Sequence, residues 1–162
     1  VSAFDDKNSY QYEALQKTEE QIGVGSMSDQ KLVQYFSLYC IYFATYGKEN
    51  SITQSDPFLD NIVFPTWRRS ENWDKNNVDP CNGWRGISCS NDQVIDINLS
   101  GNRLTGNFPS EVTLLSGDSP VGAGKLRGLE INGNIFLCNH LSCQNQNLDW
   151  ISNLGSNLGK FD

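Results

Sequence analysis

Residues 94–109, VIDINLSGNRLTGNFP, constrain this chain more than any other stretch. Apolar side chains recur at Val94, Ile97 and Leu99, Asn102 follows, and Leu104, Gly106, Phe108 and Pro109 complete the pattern. In this spacing Val94, Ile97 and Leu99 can point into one core, while the strand's other side chains line a second face. The chain then leaves the strand at Ser100-Gly101. Asn102 turns inward there, where its amide satisfies backbone groups that a tight buried bend would otherwise strand at about 1–3 kcal/mol each. That role is structural, not catalytic. The pattern returns at Leu126, Leu129, Ile131, Asn134 and Phe136, again with a glycine directly before the asparagine. The offset of 32 from Val94 to Leu126 exceeds the roughly 20–29 residues usual for a repeat of this spacing. The surplus falls in residues 117–124, expected to be a loop on the convex side.

Charge and hydropathy remove whole classes of function. The net charge is −7, and the 12 Lys and Arg residues form no run longer than Arg68-Arg69. Nucleic acid is excluded as a partner, because neutralising phosphates needs a basic face. An anionic membrane surface is disfavoured for the same reason, so membrane association is expected only through a protein partner. No run of about 20 apolar residues occurs, as a membrane span would need. Residues 32–47 come closest, but they include Gln34, Ser37 and four tyrosines, and read as a buried helix. No signal peptide is visible at the start, so a mature or trimmed form is expected.

Tyr10, Ala14, Thr18 and Ile22 fall at steps of four with Leu15 beside them, which predicts a helix over about 9–22, ended by residues 23–26. A second helix is predicted from the N-cap at Ser28-Asp29 to Tyr46, with Gly47 in the C′ position. It carries Leu32, Val33, Tyr35, Phe36, Leu38, Tyr39, Ile41, Tyr42 and Phe43, so most of its surface must be covered. In residues 48–66 a turn of helix over 56–59 and an extended piece over 62–64 are expected.

From Trp67 the sequence becomes specific again. Tyr42-Phe43-Ala44-Thr45-Tyr46-Gly47, then Trp67, Asn72-Trp73, Asp79-Pro80-Cys81, Trp84-Arg85-Gly86-Ile87 and Cys89 resemble the N-terminal cap of plant-type leucine-rich repeat proteins. The spacings of residues 94–109 and 126–136 resemble the repeats of that family, and Gly133-Asn134-Ile135-Phe136-Leu137-Cys138 with Cys143 resembles its closing element. The resemblance runs over roughly residues 32–151. Gly83 makes the first cysteine loop one residue longer than the family pattern, and the segment between Gly47 and Trp67 is additional to it. The resemblance implies disulfides Cys81–Cys89 and Cys138–Cys143, hence an oxidising compartment. Cys40, between aromatic neighbours on the second helix, is expected to stay a reduced, buried thiol. Leu148, Trp150, Ile151 and Leu154 suggest a short closing helix.

Catalytic constellations are scarce. His140, the single histidine, lies between Cys138 and Cys143 and reads as a solvent-facing loop residue, since a catalytic base needs an orienting partner and a cleft. No phosphate-binding loop, dinucleotide fingerprint or zinc motif occurs. Glu19-Glu20 read as solvated surface, and Asp56, Asp60 and Asp79 match no calcium-loop spacing. Trp67, Trp73 and Trp84 could be a sugar-stacking platform, but core packing over the first repeat is the stronger reading. Asn98-Leu99-Ser100 is a glycosylation sequon, expected mid-strand on the concave face and so poorly placed for occupancy.

The expected fold is therefore α/β: a short leucine-rich repeat solenoid with a helical N-terminal region and disulfide-bonded caps. Residues 1–66 form the helical region and a variable segment, 67–93 the N-terminal cap, 94–137 two leucine-rich repeats, and 138–162 the C-terminal cap. The resemblance implies a non-enzymatic protein-protein interaction domain without cofactor or metal, secreted or lumenal. Its concave positions are Asp96, Asn98 and Ser100 in one repeat and Arg127, Glu130 and Asn132 in the next, with Asn102 and Asn134 as structural asparagines. Two strands are a small platform beside the roughly 800 Å² per partner of a standard interface, so a cap or flank must contribute. The alternative is a structural subunit built permanently into a larger assembly such as a plastid membrane complex, docked through the apolar second helix unless residues 1–22 fold back over it. A hydrolase or sugar-binding protein is a third reading, left open by the unassigned N-terminal segment. Val1-Ser2-Ala3-Phe4 resembles the junction of plastid-targeting presequences in algae with complex plastids, which places a plastid or thylakoid lumen beside secretion as a location.

Overall fold

The computed structural model describes residues 2–22, 27–45, 67–116 and 125–134. They form a mixed α/β fold of two helices, a three-stranded sheet and one disulfide. Helix α1 spans Tyr10–Ile22 and α2 spans Asp29–Thr45. Each begins at a serine whose hydroxyl accepts an amide hydrogen of the first turn: Ser9 from Tyr12 at 3.1 Å and Ser28 from Lys31 at 3.3 Å. These bonds satisfy donors that have no partner within the helix. α1 lies along α2 and buries Ala14, Thr18 and Gln21, the stripe that recurs every three to four residues. The opposite side of α2 meets the sheet and a 3-10 segment, Ser110–Leu115. The all-round apolar character of α2 is thus explained inside the chain: the N-terminal segment does fold back, and the only exposed large hydrophobic among the described residues is Phe4.

The sheet runs in the order β1 (Ile87–Ser90), β2 (Gln93–Asn98), β3 (Gly128–Glu130). β1 and β2 form an antiparallel hairpin whose two loop residues, Asn91 and Asp92, have φ of 50° and 63°, the left-handed pair that suits the twist of a two-residue loop. Sequence reading assigned no strand inside the cap, so β1 is an addition. β2 and β3 are parallel, with Ile97 opposite Leu129 and Asn98 opposite Glu130, the offset read from the repeat spacing. The ladder continues from Leu99 N–H to Glu130 O at 2.7 Å and from Gly101 N–H to Asn132 O at 2.9 Å. The inward side chains Val94, Ile97, Leu99, Leu126 and Leu129 are buried with Leu104, Val112 and Leu115. Two adjacent parallel strands are the extent of repeat stacking among the described residues.

The asparagines act as backbone clamps. Asn102 accepts from Arg69 N–H at 2.6 Å and donates to Arg69 O at 3.1 Å, fastening the cap to the end of β2. Asn134 accepts from the amides of Asn102 and Leu104 and donates to the carbonyls of Leu99 and Ile131.

Trp67, Trp73 and Trp84 are 4%, 0% and 3% exposed, so they are core and not a stacking platform. Trp73 sits 4.7 Å from the Trp67 ring and 4.9 Å from the Trp84 ring, and Tyr35, Tyr39 and Tyr42 of α2 pack against the group. Each indole N–H has an acceptor: Thr45 Oγ1, Arg85 O and Val78 O respectively. Cys81 and Cys89 are joined by a disulfide between the 3-10 turn Pro80–Asn82 and β1. With a sequence separation of 8 between the bonded cysteines, the Cys81→Ala/Cys89→Ala variant should lose about 2.5 kcal/mol of stability by loop-closure entropy. Urea unfolding followed by tryptophan fluorescence measures this, because the loop encloses Trp84. Residues 23–26, the expected helix end at Tyr46-Gly47, residues 48–66, the 117–124 loop, Phe136, His140, the Cys138–Cys143 bond and the closing helix lie outside the described residues.

Candidate functional site

The sheet face not occupied by the helices carries the sequence-predicted positions. Asp96 and Asn98 lie two apart on β2; Ser88 of β1 is the register partner of Asp96, and Glu130 of β3 that of Asn98. Side chains at such partners share a face. Asn98 is the last residue of β2 rather than a mid-strand one. Its amide donates to the Glu130 carboxylate at 2.6 Å and its oxygen accepts from Ser100 N–H at 3.2 Å. The nitrogen of the sequon is therefore engaged across the two strands. Arg127, Glu130 and Asn132 are exposed and Asp96 and Ser100 half-buried. Arg127 N–H joins Ile95 O at 2.7 Å, which fixes its backbone at the entry to β3. Asp96, Asn98 and Glu130 thus lie on two adjoining strands, and Ser100, Arg127 and Asn132 directly flank the ends of those strands, around one cross-strand bond.

Sequence reading missed what borders this row. A cavity of about 340 Å³ opens beside it, lined by Arg69, Arg85, Ser88, Asn98 and Ser100 over a floor that includes Leu99. Both arginines follow closely on buried cap tryptophans, Trp67 and Trp84, and this placement was the available signal. Their backbones are fixed: Arg69 by Asn102, and Arg85 by Glu71 O at 3.1 Å and by the Trp73 indole at 2.9 Å.

The cluster around Lys31 and the buried Tyr35 and Cys40 are structural. Ligand atoms of Asp79, Cys81 and Asp92 converge within 4.8 Å, but the sulfur is bonded to Cys89 and the Lys31 ammonium binds both carboxylates, at 2.7 and 2.8 Å. Asp79 also caps the Cys81 amide at 2.7 Å, so the cluster ties the start of α2 to the disulfide loop and the β1–β2 turn. Burial, with the charges of Asp79 and Asp92 in second place, pushes the Tyr35 phenol up to about 12. Burial likewise raises the Cys40 thiol, which is free and packed in the core, so it holds no nucleophilic thiolate. Buried Gln34 caps the start of β2, accepting from Val94 N–H at 2.9 Å.

Comparison with known proteins bears on the cap. Residues 56–90 match the family described as leucine rich repeat N-terminal domain. The chain is 29% identical over 105 residues, 64% of its length, to a probable leucine-rich repeat receptor-like protein kinase of Arabidopsis thaliana. That alignment takes in 9% of the kinase, and the family matched is the N-terminal domain, not a kinase domain. No solved structure matches the chain. Over residues 56–90 the chain is thus similar to the plant-type leucine-rich repeat N-terminal domain of plant leucine-rich repeat receptor proteins.

Proposed function

We propose that this chain is a non-enzymatic protein-binding module, a short leucine-rich repeat solenoid whose partner rests on the face bearing Asp96, Asn98, Ser100, Arg127, Glu130 and Asn132. Leucine-rich repeat domains generally bind proteins, and the observation that carries the reading here is the polar row beside the Asn98–Glu130 bond. Its outer members are exposed and its strands are rigidly registered from beneath by Asn102 and Asn134. A row of this kind contains no nucleophile poised against a base, which fits recognition better than catalysis. The matched domain and the Cys81–Cys89 bond point to an extracellular-facing domain. Among the described residues no helix is long and apolar enough to cross a membrane. We read the compartment as the cell exterior; the plastid-lumen alternative rests on residues 1–4 alone. The permanent-subunit reading drew on the small concave face, on the apolar α2 and on the additional 48–66 segment; the second of these is met inside the chain, since α1 packs along that helix.

Site-specific photocrosslinking tests the reading. A photoreactive residue in place of Arg127 or Asn132 should capture one discrete polypeptide from the native source. Glu130→Lys should weaken that complex at least about tenfold by charge reversal, with a loss of stability no larger than the about 1 kcal/mol of the exposed Asn98–Glu130 hydrogen bond. Capture from Phe4 or Lys7 but not from Arg127 or Asn132 would move the site to the N-terminal helical region.

A further inference from the structure

We propose that the cavity between the cap and the strand face is a carboxylate-binding subsite, in which Arg69 and Arg85 hold an acidic group of the bound polypeptide; this rests on the binding role proposed for that face. The chain has 19 acidic and 12 basic residues, yet among the described residues neither guanidinium forms an ion pair or a hydrogen bond, although both line one cavity. Ser100 Oγ, on a residue lining the same cavity, is buried and has no hydrogen-bond partner. A buried hydroxyl without a partner is costly unless a ligand completes it. With the Asn98 amide nitrogen committed to Glu130, the charged groups lining the cavity are two arginine forks, and the Ser88 and Ser100 hydroxyls lie beside them.

A group that only accepts hydrogen bonds and carries negative charge matches this lining, and the planar fork of arginine fits a carboxylate bidentately. At about 340 Å³ the space suits one acidic side chain or a chain terminus, not a folded element. It lies next to Asn98 and Ser100, so the subsite extends the two-strand platform toward the cap.

The probes are N-acetylglycine for a chain terminus, N-acetylaspartate N-methylamide for an acidic side chain, and neutral N-acetylglycinamide. Each is titrated into the isotope-labelled full chain and followed by amide and arginine Nε–H resonances. Saturable shifts are expected at Gly86, Ser88 and Ser100 with either carboxylate, at a Kd on the order of 1–10 mM, and none with the neutral amide. The tighter of the two carboxylates identifies the source. Arg69→Gln/Arg85→Gln should weaken binding at least about tenfold. Its far-UV spectrum should be unchanged, because the backbone clamps at both positions do not use the guanidiniums. Arg69→Lys/Arg85→Lys, which keeps the charge and loses the fork, should fall between.

Equal shifts with the neutral amide, equal affinity for inorganic sulfate, shifts retained in the glutamine variant, or no shifts at all would each overturn the proposal. Capture of a polypeptide from Arg127 without carboxylate binding rejects the subsite and leaves the binding face. Carboxylate binding without such capture supports the anion site and rejects the face.

Discussion

Asn134→Ala should destabilise the protein by about 3–5 kcal/mol, the sum of four hydrogen bonds at roughly 1 kcal/mol each and the cost of stranding their partners. The Asn134 oxygen takes the amides of Asn102 at 2.8 Å and Leu104 at 3.1 Å, while its nitrogen serves the carbonyls of Leu99 at 2.9 Å and Ile131 at 2.7 Å. Among the described residues no other side chain hydrogen-bonds these four groups, which lie on two successive bends. Asn134→Asp separates the halves of the role: both acceptor bonds remain, and a carboxylate then faces the carbonyls of Leu99 and Ile131. It should still lose about 2–3 kcal/mol. Asn102→Ala breaks two bonds, both to Arg69, and should cost about 2 kcal/mol. Urea unfolding of the three variants gives the ranking. A loss under about 1 kcal/mol for Asn134→Ala would mean that water satisfies the bends, and that the asparagines do not set the strand register.

The register of the strands was legible because it rests on side chains that recur: Val94, Ile97 and Leu99 against Leu126, Leu129 and Ile131 specify the parallel pairing through burial alone. Both helix starts could be read from Ser9 and Ser28, whose capping is a local interaction. The cap tryptophans were readable as core for a similar reason, since a large ring with a polar edge has few other stable placements. The hairpin was not legible. β1 alternates half-buried and exposed residues over only four positions, too few for periodicity to signal a strand. Gln34 and Gln21 were also missed, because a buried glutamine is defined by the distant backbone it serves, Val94 in one case and Asn77 in the other. The same limit hid the cavity. Arg69 and Arg85 are 16 positions apart in the chain and meet only once Asn102 clamps one and Trp73 the other.

That dependence of the face on the cap makes Gly86 the second sensitive point. Gly86 has φ of +82°, and a Cβ there would collide with the backbone carbonyl of Asn98, whose N–H donates to Gly86 O at 2.8 Å. Alanine would add about 1–2 kcal/mol for the left-handed backbone. It must also push β2 away from the cap, because a backbone oxygen cannot rotate aside as a side chain can. Gly86→Ala should therefore cost about 3–4 kcal/mol in total. Gly101→Ala is the matched control: its φ is +61°, but nothing lies within 4 Å of the added carbon, so only the backbone cost of about 1–2 kcal/mol applies. Thermal unfolding of the pair separates strain from collision. Because Gly86 and Asn98 both line the cavity, any Gly86→Ala protein that remains folded should also lose the carboxylate-induced shift at Ser100. Equal stability losses at the two glycines would show that the hairpin yields to the added methyl group, and that the cap does not hold Asn98 in place.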